Sequence, residues 1–159
     1  MASVAVANHL LVSSPVLEAV SQDTRNSGFR LKARFSHYIN PVVLVLDLAE
    51  VQSAAPIDLL RGLFQAAAAL EQKGRRFERI VLSRSGTEVF HIGGEDFSEL
   101  GAEYAAGQNP IYLVRTLPEK LLLPDGTSAY SSWSGGLLGV VGKQMEDVSA
   151  AANRWASGQ

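Results

Sequence analysis

The sequence predicts a single α/β domain built on a mixed sheet, and three stretches carry that prediction. Val42 to Leu48 is a continuous apolar run with β-branched residues, the pattern of a strand covered on both faces. Pro56 to Lys73 follows as a long helix with a wide apolar arc. Ile80 to Ser83 and Thr87 to Ile92 then read as two strands joined at Ser85-Gly86. Strand, helix and strand in succession make a βαβ unit, whose strands run parallel. The hairpin adds an antiparallel strand, so the sheet is mixed.

From the N-terminus, residues 1–28 form a segment with one short helix, and residues 29–159 form the domain. Met1 to Val12 is small and apolar without clear period. Ser13-Ser14-Pro15 signals a helix start, with serine as cap and proline suited to the first helical position. Val16, Leu17 and Val20 give that helix an apolar face, and Gln22 to Gly28 reads as a loop. Phe29, Leu31, Ala33 and Phe35 then alternate with Arg30, Lys32 and Arg34, the period of a half-buried strand with one solvated face.

In the long helix Ile57, Leu60, Phe64 and Ala67 form one stripe, with Leu59, Leu63, Ala66 and Leu70 beside it. Such an arc belongs against a sheet, and Gly74 closes the helix. Glu95 to Ala106 is a helix with Phe97, Leu100 and Tyr104 on one side. Asn109-Pro110 opens an apolar segment, Pro124-Asp125-Gly126 is a turn, and Tyr130 to Gly136 is a loop around Trp133. The last helix, Leu137 to Ala156, spaces Leu138, Val141, Met145, Val148, Ala152 and Trp155 alternately by three and four. That is a narrow seam, suited to docking a terminal helix or to pairing two copies.

At 159 residues the chain is long enough for one self-sufficient core. It is 47% hydrophobic and 19% charged, within the globular range. The formal net charge of −2 gives no electrostatic case for nucleic acid or anionic membrane. Only Arg30, Lys32 and Arg34, with Lys73, Arg75, Arg76 and Arg79, form a basic set, so nucleic acid is not an expected partner. The absence of cysteine excludes disulfides, thiol catalysis and Cys-ligated metals. Met1 to Leu11 lacks Lys and Arg, and no uninterrupted apolar run reaches membrane-spanning length. A cytoplasmic protein without a membrane partner is the expectation.

His9, His37 and His91 have no HxH, HxxxH or HExxH spacing, so no metal site is expected. There is no GxSxG elbow, no P-loop and no GxGxxG, and no cofactor is expected. Glu95-Asp96 and Glu146-Asp147 are paired carboxylates on helices, the first at a helix N-terminus where the dipole favours anions. Gly93-Gly94, between a strand and a helix, is the leading ligand-binding candidate. Its backbone N–H groups could stabilise an oxyanion or hold a carbonyl or phosphate. A tight turn also needs glycine for conformation alone. His91 lies in the strand leading to it, and alternation of Glu88, Phe90 and Ile92 against Val89 and His91 leaves its facing open.

The run Ile80 to Ser83, Ser85-Gly86, Phe90 and Gly93-Gly94-Glu95-Asp96-Phe97 resembles the first oxyanion-hole segment of the crotonase (enoyl-CoA hydratase/isomerase) superfamily. The strand from Val43 and the helix from Pro56 resemble that family's opening strand and helix. The resemblance implies that Gly94 and Asp96 take the corner's glycine and aspartate. It further implies that an amide near Gly93 and Gly94 faces an acyl-CoA thioester, with enolate stabilisation as the chemistry. Val42 to Ser83 is also similar to STAS-type regulatory domains, with Ser53 near the helix start.

Two functions follow as expectations. The first is a small non-catalytic module that binds a protein partner or itself. It rests on the lack of a nucleophile–base pair, metal cluster or nucleotide motif, and on the apolar seam, with Leu138, Val141, Met145, Val148 and Trp155 as interface. The alternative is a crotonase-like protein that binds or processes acyl-CoA at Gly93, Gly94, Asp96 and His91.

Overall fold

The computed structural model describes residues 2–159. Among these, five strands, β1 (Phe29–Ser36), β2 (Asn40–Val51), β3 (Arg79–Arg84), β4 (Thr87–Gly93) and β5 (Leu121–Leu122), lie side by side in the order of the chain. Only β2 and β3 are parallel; the other neighbours are antiparallel. The expected βαβ unit and hairpin are both present, and the sheet is mixed. Ser85 and Gly86 both have positive φ, the backbone of a two-residue turn whose twist matches its strands.

Among the described residues six α-helices accompany the sheet: α1 (Ala2–Asn8), α2 (Ser14–Ser21), α3 (Pro56–Gln72), α4 (Gly94–Ala105), α5 (Pro110–Thr116) and α6 (Leu137–Ser157). The helix of β2-α3-β3 buries Leu59, Leu60, Leu63, Phe64, Ala67 and Leu70. Leu44, Leu46, Leu48, Ile80, Leu82 and Ile92 meet that face in one core, joined by Phe97, Leu113, Val148, Ala152 and Trp155. Gly101 lets α4 lie close on α3, because a Cβ there would sit 2.5 Å from the Ala67 carbonyl oxygen. The C-terminal helix docks as expected: Trp155 is 1% exposed, and its Nε1 donates to the Ser83 carbonyl at 2.9 Å.

Two expectations are corrected here. The sequence reading covers β2 on both faces, whereas the helices cover only one. On the other face Val43, Val45 and Val81 form a small cluster of their own, to which no helical residue belongs. Arg34 and His91 flank Val45 and Val81 in the sheet register. The second correction concerns the N-terminus, which is helical from Ala2 rather than from Ser13. A single wide turn, His9–Ser13, links α1 to α2. Pro15 supplies no backbone donor, and its ring crowds the preceding turn. A π-turn is one way a helix absorbs such an interruption. Ser13 has helical dihedrals and turns its hydroxyl outward to the Ala33 carbonyl, 2.7 Å away.

Candidate functional site

The glycine corner is built by β4 handing the chain to α4. Gly93 is the N-cap, with an ordinary extended backbone. Gly94 is more constrained. Its N–H donates to the Glu78 carbonyl at 3.0 Å, and a Cβ there would lie 1.7 Å from the Phe77 carbonyl oxygen. The second glycine therefore answers a close approach of two backbones, and its amide proton is engaged. Asp96 accepts from Lys120 Nζ at 2.7 Å, and Glu99 accepts from the same ammonium at 3.0 Å. Burial alone would lower the Lys120 pKa, but the hydrogen bonds to Asp96 and Glu99 hold it above its usual value.

His91 belongs to the helix-free face of the sheet. The alternation that left its direction open is broken by a bulge at Val89, with Leu82 opposite Phe90 but Ser83 opposite Glu88. The bulge buries both Val89 and Phe90 and moves Glu88 to the side of His91. His91 Nε2 and Glu88 Oε2 are 3.2 Å apart. The nearby Ser83 hydroxyl donates to Asp47 at 2.6 Å and not to the imidazole. No serine, histidine and carboxylate are thus linked into a proton relay among the described residues. No three His, Asp or Glu side chains converge as a metal site among them either.

The seam of α6 is divided between two environments. Val148, Ala152 and Trp155 are in the core, while Leu138 is 89% exposed and Met145 is also exposed. Val141 is half-buried, and Leu137, absent from the expected set, is exposed beside Leu138. Trp133 packs on another side of α6. Its Nε1 donates to Asp147 at 2.6 Å, and the Lys143 ammonium lies 5.8 Å from its ring centre. Spacing alone could not separate the docked half from the free one, because both halves share the same period.

A second surface was missed by the sequence reading. The N-terminal helix lies along the outer edge of β1, and Asn8 Oδ1 accepts the Phe35 N–H at 2.7 Å. A hollow of about 610 Å³ opens where that cover ends, lined by Leu17, Val20, Asn26, Phe29, Leu31 and Gln52 among others. A second hollow of about 340 Å³ shares Leu17 and Leu31 with the first, so the two adjoin along the strand. The alternation at residues 29–35 was visible in the sequence; that β1 is an edge strand was not.

The helix from Ser3 to Ser21 is long and apolar enough to cross a membrane by length and composition, with 22% of its window buried in the molecule. Val12, Val16 and Val20 are part of the domain core. Protein-family models, curated proteins and solved structures give no match to this chain.

Proposed function

We propose that this protein is a non-catalytic binding module whose free surface on α6 pairs with a second copy of the chain. The division of the α6 seam carries this reading. Leu138, Val141 and Met145 continue the spacing of Val148 and Trp155 but leave the core they point toward elsewhere. A narrow stripe at intervals of three and four suits a second helix better than a flat surface. In an antiparallel pair about a two-fold axis, the same patch meets itself.

The free half of α6 is short, so the association is weak, with a dissociation constant in roughly the micromolar range or above. Sedimentation across concentration tests it. The parent is expected to gain mass with concentration and Leu138→Glu to remain a monomer. Because Leu138 is largely in water, the stability of the variant stays within about 0.5 kcal/mol of the parent. A parent that stays monomeric up to roughly 1 mM refutes self-association at any useful affinity.

The acyl-CoA alternative needs a backbone donor at the glycine corner, and the Gly94 N–H is already donated to Glu78. A thermal-shift series with acetyl-CoA, a long-chain acyl-CoA and free CoA addresses it. Ligand at a hundred times its dissociation constant adds about 2.7 kcal/mol of stability, so a flat series rejects it.

A further inference from the structure

The outer edge of β1 is bonded to side chains over half its length and unpaired over the other half, where Phe29 and Leu31, 8% and 3% exposed, form the floor of a groove beneath Leu17. Antiparallel strands alternate residues whose backbone groups face the partner with residues whose groups face away. The direction of that alternation in β1 is fixed twice. The Ala33 carbonyl and the Phe35 N–H are bonded outward, to Ser13 and Asn8. On the other side of the pair, Val42 and Leu48 of β2 accept from Glu78 and Ser85, at the two ends of β3. Even-numbered residues of β2 therefore face β3, and Val45 and Asp47 face their register partners Arg34 and Lys32. The Gly28 carbonyl, which accepts from Gln52 and Ser53, carries the same parity past the bulge. Phe29, Leu31, Ala33 and Phe35 hence turn their backbone polar groups away from the sheet.

Asn8 and Ser13 satisfy the far end of this edge. At the near end neither the N–H nor the carbonyl of Leu31 has a partner among the described residues, and the groove opens there. Its apolar wall is made by Leu17, Val20, Phe29 and Leu31. On the opposite side of the strand Lys32 and Arg34 stand on the helix-free face, and neither has a carboxylate partner among the described residues. Arg34 rests over the Tyr38 ring, 5.3 Å from its centre.

We propose that this groove takes an extended peptide of another protein, added to the sheet as an antiparallel strand beside Phe29 to Ala33, its end displacing the Ser13 hydroxyl from the Ala33 carbonyl. Main-chain bonds to an exposed edge supply affinity in that mode, and alternate side chains supply specificity. Residues of the peptide opposite Phe29, Leu31 and Ala33 point toward Leu17 and Val20 and must be apolar. Those opposite Arg30 and Lys32 lie on the helix-free face, where Arg30 is paired with Glu50 and Lys32 and Arg34 are the cations left without a carboxylate among the described residues. The ligand is therefore a segment in which apolar residues alternate with Asp or Glu. The site is separate from the α6 surface and does not depend on it.

The probe is a fluorescein-labelled Val-Glu-Val-Glu-Val amide, long enough to span Phe29 to Ala33 at about 3.3 Å per residue. Its binding is followed by anisotropy, with amide exchange of the protein read by NMR. Saturable binding is expected, together with slowed exchange of the Leu31 N–H. N-methylation of the valines removes the donors that meet the edge and is expected to weaken binding at least tenfold, roughly the worth of one or two backbone hydrogen bonds. Replacing Glu by Lys in the probe is expected to weaken it similarly. No saturable binding below about 1 mM, equal affinity of the N-methylated probe, or unchanged Leu31 exchange would each overturn the proposal. Equal affinity of the Lys probe overturns its acidic assignment. Self-association through α6 is read from mass, so either idea can fail without the other.

Discussion

Gly94→Ala separates a glycine needed for packing from one needed for a ligand. A Cβ at this position would stand 1.7 Å from the Phe77 oxygen and 2.6 Å from its carbonyl carbon, where ordinary contact begins at 3.4 Å. The obstacle is backbone, so no rotamer change relieves it. The chain at Phe77 and Glu78 must retreat by well over an ångström, and it is fixed at both ends. The Glu78 N–H donates to Val42 at 2.8 Å, and the Glu78 carbonyl accepts from Gly94 itself. Losing the second bond costs about 0.5–1.5 kcal/mol. Displacing packed backbone adds about 1–3 kcal/mol, as overpacking does. Alanine returns about 0.4–1 kcal/mol by restricting the unfolded chain.

The net expectation is a loss of about 2 kcal/mol, which displaces a urea midpoint by about 1 M. Urea unfolding at 25 °C followed by circular dichroism measures it. Gly93→Ala is the internal control. Its backbone is ordinary, and its Cβ would meet nothing closer than an Asp96 oxygen at 3.5 Å. Loss of the better N-cap residue and restriction of the unfolded chain oppose each other, leaving it within about 1 kcal/mol of the parent. If Gly94→Ala unfolds with the parent's midpoint, or if the two variants fall together, the packing explanation is wrong.

Two further outcomes test the docking of α6 and the N-terminal segment. Trp155→Phe removes the donor to the Ser83 carbonyl and leaves part of a buried volume empty. It should cost about 2–4 kcal/mol in the same urea assay, and a cost below about 1 kcal/mol would mean that the C-terminal turn is not held by this contact. Acid should loosen the junction between the residue 22–28 loop and α3. The hydrogen bond from Arg25 holds the Asp23 carboxyl well below the usual range, Gln65 of α3 also donates to it at 2.9 Å, and the hydrogen bond from Arg61 lowers the Asp58 pKa. A depressed folded-state pKa contributes stability above the unfolded value of 3.8, which is lost as pH falls below it. The melting temperature should therefore drop more steeply below about pH 4 in the parent than in Asp23→Asn, and parallel curves would refute the assignment.

The central architecture was readable because its signals are local. A run of β-branched residues, a wide helical arc and a turn pair each report on a few neighbouring residues, and all three agree. The elements that escaped depend on something distant. Ser13 looks like a helix cap, yet its hydroxyl is drawn to Ala33, twenty positions along the chain. The direction of His91 follows from a bulge at Val89, which exists because Val89 and Phe90 can both be buried. Val42 to Leu48 is apolar enough for two covered faces, but where the helices pack is decided by α3, α4 and α6 together. The corner at Gly93-Gly94 was legible as a site and equally as a turn, and the carbonyl of Phe77 that distinguishes them lies sixteen or seventeen residues upstream.

The treatment of the β1 edge bears on the function more than any side-chain cluster does. An exposed strand edge invites pairing with other chains, and proteins suppress it with cover, charge or bulges. Here two of these devices are present at the edge itself, α1 and α2 as cover and Lys32 and Arg34 as charge, while the bulge of the β1–β2 pair puts its extra residue, Ala49, in the inner strand. The cover is nevertheless made through side chains, Asn8 and Ser13, and they reach only Phe35 and Ala33. Charge repels a second copy that brings its own cationic β1, while it attracts a strand bearing carboxylates. The same residues that discourage edge-to-edge pairing of this chain thus select an acidic partner. Self-association is thereby directed away from the sheet and toward α6, where Leu137 and Leu138 stand in water.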